Sequence, residues 1–349
     1  MIGPGRESTG SGNGLNVTVL DVGQGLAIVL ECDGKYALYD GGPGTASSTV
    51  ISYLERHVPD GLEYAIASHY DEDHLNGIVG ALHRFPVGFV LAPDYQGTTD
   101  IYQSFIRAMK KTGTPLVYAS AGQSLHLGEA VLDVLMPIST GYVEENDYSV
   151  VVRVVYGDTS ILLTGDCTTL GEYEMIFNGV DLDSDILVVG HHGSEYSTSR
   201  DFLEAVDPEI AIISCGRYNT YGHPSAAVMS RLDARGIEVL RTDTQGDLLL
   251  LSDGSEWYCT PASAARSLQG NETNETLQPE PPLKPVSPVG DSYSENGIDY
   301  YIVNTRSMKF HRPGCVSAAK MSERNKKEVM ISRDELIAQG YIPCGNCQP

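Results

Sequence analysis

The chain has 349 residues and a formal net charge of −23 at pH 7. This length leaves room for one large domain and a small one, and no run of apolar residues approaches the roughly 20 that a membrane-spanning helix needs. Residues 301–349 hold 8 basic and 4 acidic residues, whereas the first 300 hold 15 basic and 42 acidic ones. An acidic body repels a polyanion at long range, which argues against nonspecific coating of nucleic acid by the large domain.

The first 14 residues, MIGPGRESTGSGNG, are rich in Gly and Ser and predict a flexible N-terminal segment. They lack the succession of a basic region, an apolar stretch and a cleavage site that marks a signal peptide. We therefore expect no signal peptide in this chain.

From residue 15 to residue 260, short β-branched runs alternate with helical stretches. Strands are predicted over 15–22, 26–32, 36–40, 63–69, 87–92, 115–119, 130–137, 149–157, 160–166, 185–190, 209–215, 237–242 and 247–252. Helices are predicted over 48–58, 75–85, 101–111, 201–206 and 226–235. In each of two similar halves of this region, predicted strands come first and predicted helices then lie between further strands. This order predicts two packed sheets with helices outside, a layered α/β body.

The segment SHYDEDHLNG, residues 68–77, carries four potential metal ligands directly after an apolar strand. They are His69, Asp71, Asp73 and His74. The C-terminal end of a strand is where α/β folds place their chemistry, so a curled loop here can hold two cations. Taken alone, the segment is also compatible with an acidic surface loop.

Three later segments repeat this arrangement. Asp166 follows a predicted buried strand, where a bare carboxylate is costly without a cation or hydrogen bonds. His191 and His192 follow the next strand, and His223 follows a third. Four segments with His or Asp at strand ends favour a metal centre over an acidic loop.

Seven blocks of the chain, taken together, resemble the metallo-β-lactamase fold superfamily and, within it, the hydrolase domain of the ComEC/Rec2 DNA-uptake proteins. They are DVGQG (21–25), YDGG (39–42), SHYDEDH (68–74), TGD (164–166), GHHGS (190–194), YGHP (221–224) and RTDTQGD (241–247). The resemblance covers about residues 15–258. It implies an αββα four-layer sandwich with a dinuclear site at the sheet edges.

The resemblance also implies roles for individual residues. His69 and Asp71 hold the first metal, Asp73, His74 and His192 hold the second, and Asp166 bridges the two. His191 competes with His192 for the ligand position. Asp73 and Asp166 join His223 as catalytic residues, with His223 facing the substrate oxyanion or protonating the leaving group. The alternative for His223 is a structural role.

Three features accompany this assignment. Asp40 is expected beneath the ligand loop as its orienting residue, although a plain turn before Gly-Gly also explains it. The separate third His of the superfamily pattern has no obvious counterpart between the SHYDEDH and TGD blocks, where Asn146, Asp147 or Ser149 can line the site without being assigned as a ligand. Leu26 stands where relatives often have Asp.

The ligand set predicts the chemistry. Two cations bridged by Asp166 and a water generate hydroxide near neutral pH. Because Asp71 replaces an imidazole, the first site is harder and more negative, which moves the preference from Zn²⁺ toward Mn²⁺. The expected cofactors are two divalent cations, Mn²⁺ or Zn²⁺.

A second module is predicted at residues 298–349, beyond a Pro- and Ser-rich linker at 261–297. His311-x3-Cys315 and Cys344-x2-Cys347 form a four-ligand set for one structural Zn²⁺. Their spacing resembles the Ada-type zinc-binding module. Since His311 stands where that module has its first Cys, the methyl-acceptor activity is not carried over.

Basic residues in this module predict either a nucleic-acid face or a solvated basic surface. They are Arg306, Lys309, Arg312, Lys320, Arg324, Lys326 and Lys327.

We therefore expect a two-metal phosphodiesterase that uses a metal-bridged hydroxide, with DNA as substrate. The alternatives are a hydrolase of a smaller phosphoester, such as phosphocholine or a nucleotide, and a non-catalytic DNA-binding adaptor with a decayed metal site. No protein partner is evident, and the family resemblance favours an extracytoplasmic or secreted location.

Overall fold

The chain divides into two compact units, Met1–Gln269 and Gly270–Pro349. The computed structural model describes residues 14–261 and 299–347, the latter with gaps at 306–307, 313–314, 316–317, 319–320, 322–324, 332 and 345–346. Residues 1–13 and 262–298 lie outside the described residues, so the flexible segment and the linker stay predictions, as do the domain boundaries at 14, 260 and 297.

The first unit contains an eight-stranded sheet. Its strands are β1 (Leu15–Val19), β2 (Ile28–Cys32), β3 (Lys35–Tyr39), β4 (Tyr64–Ile66), β5 (Val90–Ala92), β6 (Leu116–Tyr118), β14 (Leu248–Ser252) and β15 (Trp257–Pro261). The spatial order is β15-β14-β1-β2-β3-β4-β5-β6. Strands β3 to β6 run parallel to one another, and the other pairs are antiparallel.

A seven-stranded sheet forms the second half of this unit. Its strands are β7 (Ser124–Leu127), β8 (Ala130–Val134), β9 (Val152–Tyr156), β10 (Thr159–Leu163), β11 (Ile186–Val188), β12 (Ile210–Ile213) and β13 (Glu238–Arg241), in spatial order β13-β12-β11-β10-β9-β8-β7. Strands β10 to β13 are parallel. Both sheets therefore contain a parallel half, in which strands end at a common edge.

Helices cover the outer face of each sheet. They are α1 (Ser47–His57), α2 (Glu72–Arg84), α3 (Asp100–Thr112), α4 (Thr169–Phe177), α5 (Arg200–Val206), α6 (Ala226–Ala234) and α7 (Thr242–Gln245). Three apolar clusters separate the layers. Leu30 and Leu132 meet between the sheets, Leu38 packs under α1 to α3, and Leu162 packs under α4 to α6.

Strand alternation explains this layering. Tyr39 belongs to the cluster between the sheets, whereas its neighbour Leu38 belongs to the outer cluster, because successive side chains of a strand point to opposite faces. A strand buried on both faces reads as a continuous apolar run. The predicted αββα four-layer sandwich is confirmed.

The second unit contains a four-stranded sheet in the order β18-β16-β17-β19. The strands are β16 (Asp299–Asn304), β17 (Lys309–His311), β18 (Lys326–Ile331) and β19 (Ile342–Pro343), and helix α8 spans Arg333–Ala338. The described residues of this unit form two small apolar clusters, one around Cys315 and Cys344 and one around Phe310. A module of about 50 residues usually needs a further source of stability, such as a bound metal.

No helix in the described part of the chain is both long and apolar enough to cross a membrane.

Candidate metal centre

The parallel strands bring the predicted site residues to one edge of the first unit. Asp40 follows β3, and Ser68 and His69 follow β4, its parallel neighbour. In the second sheet, Asp166 follows β10 and His192 follows β11. Asp71 is the N-cap of α2, which places Asp73 and His74 in the first turn of that helix. The SHYDEDH loop is therefore a strand-to-helix connection.

Two groups of metal-ligating side chains form here. His69, His74 and Asp166 make one group, and Asp73, His74 and His192 make the other, with all ligand atoms of each group within 4.8 Å of one another. Asp166 Oδ1 lies 3.1 Å from His74 Nε2 and 3.5 Å from His192 Nε2. Asp166 thus lies beside both imidazoles, and its role as a bridge between two cations stays a prediction.

Asp71 lies at the margin of the first group. Its Oδ2 is 3.4 Å from His69 Nε2, and its side chain is 43% exposed. It belongs to neither group of three, so its role as a ligand stays a prediction.

The hydrogen bonds of His74 and His192 define which ring nitrogens are free. His74 Nδ1 lies 2.7 Å from Asp40 Oδ2, and His192 Nδ1 lies 3.0 Å from the carbonyl oxygen of Ser214. Because both partners are acceptors, each Nδ1 donates a proton, which leaves Nε2 as the ring nitrogen that binds a cation once its own proton is displaced. The two Nε2 atoms nevertheless face each other at 3.2 Å.

The Nδ1 atom of His69 also donates its proton, in this case to a serine hydroxyl. Ser68 Oγ donates to Asp40 Oδ2 at 2.7 Å, so it accepts from His69 Nδ1 at 3.0 Å. His69 Nε2 and Asp166 Oδ1 are then buried atoms without a hydrogen-bond partner among the described residues. Burying an unsatisfied acceptor costs about 1–3 kcal/mol. A cation among these lone pairs and carboxylates removes that cost, so the residues fit a metal.

The charges of the side chains at the centre also favour a bound cation. Burial lowers the pKa of His74, but Asp166, Asp40 and Asp73 outweigh it and hold that pKa well above its ordinary value. Burial raises the pKa of Asp166, but His74 and His192 hold it well below its usual range. The cluster therefore attracts positive charge strongly, which is what a metal centre requires.

His191 and His192 take different positions although they are adjacent in the chain. His191 Nε2 lies 3.6 Å from Asp166 Oδ2, and its side chain is 26% exposed, against 3% for His192. Only His192 joins Asp73 and His74 in a group of three. The geometry thus favours His192 as the ligand, with His191 beside it.

Asp40 is fully buried and accepts hydrogen bonds from Ser68 N and Ser68 Oγ in addition to His74 Nδ1. One carboxylate thereby orients His74 directly and His69 through Ser68. Such contacts fit an orienting residue better than a plain turn.

A glycine allows the two sheets to approach at this point. Gly165 has φ +52°, and a Cβ there would lie 2.6 Å from Ser68 Cβ. The turn before Asp166 can therefore pack directly on the loop that carries His69.

The region of the missing third histidine supplies no ligand to either group. Asp147 is buried and accepts from Thr168 Oγ1, which ties it to the start of α4. Ser149 Oγ is buried without a partner among the described residues.

His223 lies beside the centre. Its ring centroid is 5.7 Å from that of His191 and 6.4 Å from that of His192. Its Nδ1 lies 3.4 Å from Gln24 Nε2.

Sequence reasoning missed Ser68, Ser214 and Gln24 as site residues. Ser68 and Gln24 stand inside the quoted blocks, but hydroxyl and amide contacts depend on how the loops fold and carry no separate sequence signal.

In the second unit, the ligand atoms of His311, Cys315, Cys344 and Cys347 all lie within 4.8 Å of one another. Burial raises the pKa of Cys347 to about 11, with further contributions from Cys315 and Cys344. Crowding of protonated thiols is relieved when a metal binds them as thiolates. The donor set fits a closed tetrahedral Zn²⁺ site.

Of the predicted basic face, Lys309, Lys326, Lys327 and Arg312 are described, and Lys327 and Arg312 are exposed. Arg306, Lys320 and Arg324 lie outside the described residues. The basic face stays a prediction.

Comparison with known proteins gives concordant matches. The sequence profile of the metallo-beta-lactamase superfamily matches residues 20–217, more than half of the chain. The chain is 35% identical over 234 residues to Competence protein ComA of Neisseria gonorrhoeae, which covers 66% of this chain and 31% of that protein. It is 34% identical over 239 residues to Recombination protein 2 of Haemophilus influenzae, which covers 66% and 28%.

A solved structure, the metallo-beta-lactamase fold protein YhfI from Bacillus subtilis, matches with a TM-score of 0.48 and 14% identity, over 68% of this chain and 100% of that chain. The chain spans less than a third of the length of the two curated relatives.

Proposed function

The chain belongs to the metallo-β-lactamase superfamily, whose members are generally metal-dependent hydrolases, and we propose that it is a two-metal phosphodiesterase that cuts DNA. The observation that carries the proposal is the pair of ring nitrogens, His74 Nε2 and His192 Nε2, that face each other at 3.2 Å beside the buried carboxylate of Asp166. An intact, buried donor set of this kind does not fit a decayed site.

The residues divide into ligands and supports. His69, Asp71 and Asp166 would hold one cation, and Asp73, His74, His192 and the shared Asp166 would hold the other. When bound, two divalent cations activate water near neutral pH and stabilise negative charge on a phosphoryl oxygen. Replacement of an imidazole by Asp71 favours Mn²⁺ over Zn²⁺.

The protein contributes orientation and a contact for the substrate. Asp40 and Ser68 hold the imidazoles of His74 and His69 by hydrogen bonds, and the Ser214 carbonyl holds His192. His223 lies outside the ligand groups but beside them, where it can contact a phosphoryl oxygen or the leaving group. These fixed groups keep the centre preorganised.

DNA as substrate is supported by the names of the relatives, a competence protein and a recombination protein. The second candidate is a smaller phosphoester, which is favoured by the formal net charge of −23, because an acidic protein repels a polyanion. We place DNA first because two cations held at the centre would offset that repulsion where a phosphodiester binds.

Hydrolysis of plasmid, single-stranded DNA and bis-p-nitrophenyl phosphate by the Mn²⁺-loaded chain separates these candidates. We expect all three to be hydrolysed, and Asp166→Asn to be inactive on each. Hydrolysis of the small diester alone would favour the second candidate. Inactivity on all three with two cations bound would contradict the proposed phosphodiesterase.

A further inference from the structure

The loop that carries His223 is fixed by its own hydrogen bonds. Asn219 Oδ1 accepts from the backbone N–H of Tyr221 at 3.1 Å and from that of His223 at 3.0 Å. The backbone of His223 is therefore held independently of its side chain. What remains to be fixed is which ring nitrogen carries the proton.

Gln24, in the turn after β1, determines which ring nitrogen of His223 carries the proton. The backbone N–H of Gly216 donates to Gln24 Oε1 at 3.2 Å. A backbone N–H only donates, so this end of the amide is the oxygen, and the NH₂ end faces His223 Nδ1 at 3.4 Å. An amide NH₂ only donates, so Nδ1 is the acceptor and carries no proton.

The two turns come close enough for this contact because residue 216 is glycine. A Cβ at Gly216 would lie 2.8 Å from the backbone nitrogen of Gln24. Any larger side chain would separate the turns and lengthen both amide contacts.

His223 is neutral in this setting, because Nδ1 accepts the hydrogen bond from Gln24 Nε2 and therefore carries no proton. A neutral imidazole has one ring proton, and with Nδ1 accepting from Gln24 that proton lies on Nε2. Nε2 makes no hydrogen bond with any described residue, and the side chain is half-buried, so it is available to a ligand.

We propose that Gln24 is a positioning residue that fixes His223 in the Nε2–H tautomer, so that a neutral imidazole donates a hydrogen bond to a phosphoryl oxygen of the substrate. The opposite tautomer would turn a lone pair toward that oxygen and repel it. The hydrogen bond from His223 to a phosphoryl oxygen rests on the proposed function, whereas the tautomer of His223 does not.

The tautomer is measured by ¹⁵N NMR of the full chain with labelled histidine and added Zn²⁺, which is diamagnetic. His223→Gln identifies the His223 signals. We expect a protonated Nε2 and an unprotonated Nδ1 in the native chain. In Gln24→Glu the carboxylate accepts from Nδ1, so that nitrogen becomes protonated.

Gln123→Glu is the matched control, because the Gln123 amide also bridges a turn, from Ser120 N to the Tyr118 carbonyl. It should leave the His223 signals unchanged. A protonated Nδ1 in the native chain, or signals in Gln24→Glu identical to the native ones, would overturn the inference.

Turnover tests the consequence separately. Gln24→Leu removes the donor that keeps Nδ1 unprotonated, so the other neutral tautomer also forms, and kcat on a phosphodiester should fall by about 10-fold with the metal content unchanged. Loss of metal from Gln24→Leu would overturn the inference, since Gln24 would then act through the ligands. A native chain with the Nε2–H tautomer that cuts no phosphodiester would contradict the proposed function alone.

Discussion

At the scale of single residues, the centre depends on acceptors that fix imidazole protons. Asp40 accepts from Ser68 and His74, Ser68 accepts from His69, and Ser214 accepts from His192. Each contact leaves Nε2 free for a cation. The orientation of the ligands is thus set by residues that hydrogen-bond to the ligands and do not bind the cation themselves.

Asp166→Asn should remove the bridging charge while keeping the side-chain shape. Both groups of ligands adjoin this carboxylate, so we expect fewer than two cations per first unit and turnover reduced at least about 10³-fold. Elemental analysis with a diester assay measures both. Asp158→Asn, an exposed residue in the turn at the other end of β10, is the control and should behave as the native chain does.

Asp40→Asn should weaken metal binding without removing a ligand. The amide cannot accept at both oxygen positions, so Ser68 or His74 loses its partner and metal affinity falls by about 10- to 100-fold. Titration with Mn²⁺ measures the affinity. Unchanged affinity would return Asp40 to the role of a plain turn residue.

At the scale of elements, the segment after His192 is clasped from two helices. Glu172 of α4 accepts from the backbone N–H groups of Thr198 and Ser199, and Arg231 of α6 donates to the carbonyls of Ser197 and Thr198. The clasp stabilises the connection between β11 and α5.

Arg231→Ala should therefore destabilise the first unit by about 1–3 kcal/mol, because the carbonyls of Ser197 and Thr198, and also that of Glu195, lose a charged donor. Urea unfolding followed by far-ultraviolet circular dichroism measures this. Arg235→Ala breaks the more exposed pair with Asp207 and should cost less than about 1 kcal/mol. Equal costs for the two variants would argue against the clasp.

Elements with clear periodicity were predictable, and those without it were missed. The helix predicted over 101–111 is α3, Asp100–Thr112. Helix α4 was missed because its apolar residues do not form one stripe, with Leu170 58% and Phe177 91% exposed. The short strands β7 and β15 were also missed, because their apolar runs are too short to indicate a strand.

At the scale of the whole molecule, the layered fold follows from sequence, but the contacts of the site do not. The series of apolar runs in the two halves of the sequence predicts two sheets. The His and Asp residues that follow these runs predict a site where the strands end together. The hydrogen bonds of Ser68, Ser214 and Gln24 join segments far apart in the chain. Only the folded loops determine them.

Cys344→Ser should unfold the second unit, because zinc binding supplies most of the folding free energy of such a small module. The first unit has its own core and should keep its metals and its turnover of a small diester. DNA cleavage should weaken, most clearly at low salt, where the basic face contributes most. Equal loss on both substrates would contradict the independence of the first unit.

The central claim is that two cations act together in the first unit. Turnover of bis-p-nitrophenyl phosphate, measured while Mn²⁺ is titrated into the metal-free first unit of a chain whose second unit is saturated with Zn²⁺, tests it most directly. We predict little turnover at one equivalent of Mn²⁺ and full turnover as the second equivalent binds. Full turnover at one equivalent, or none at two, would contradict the account.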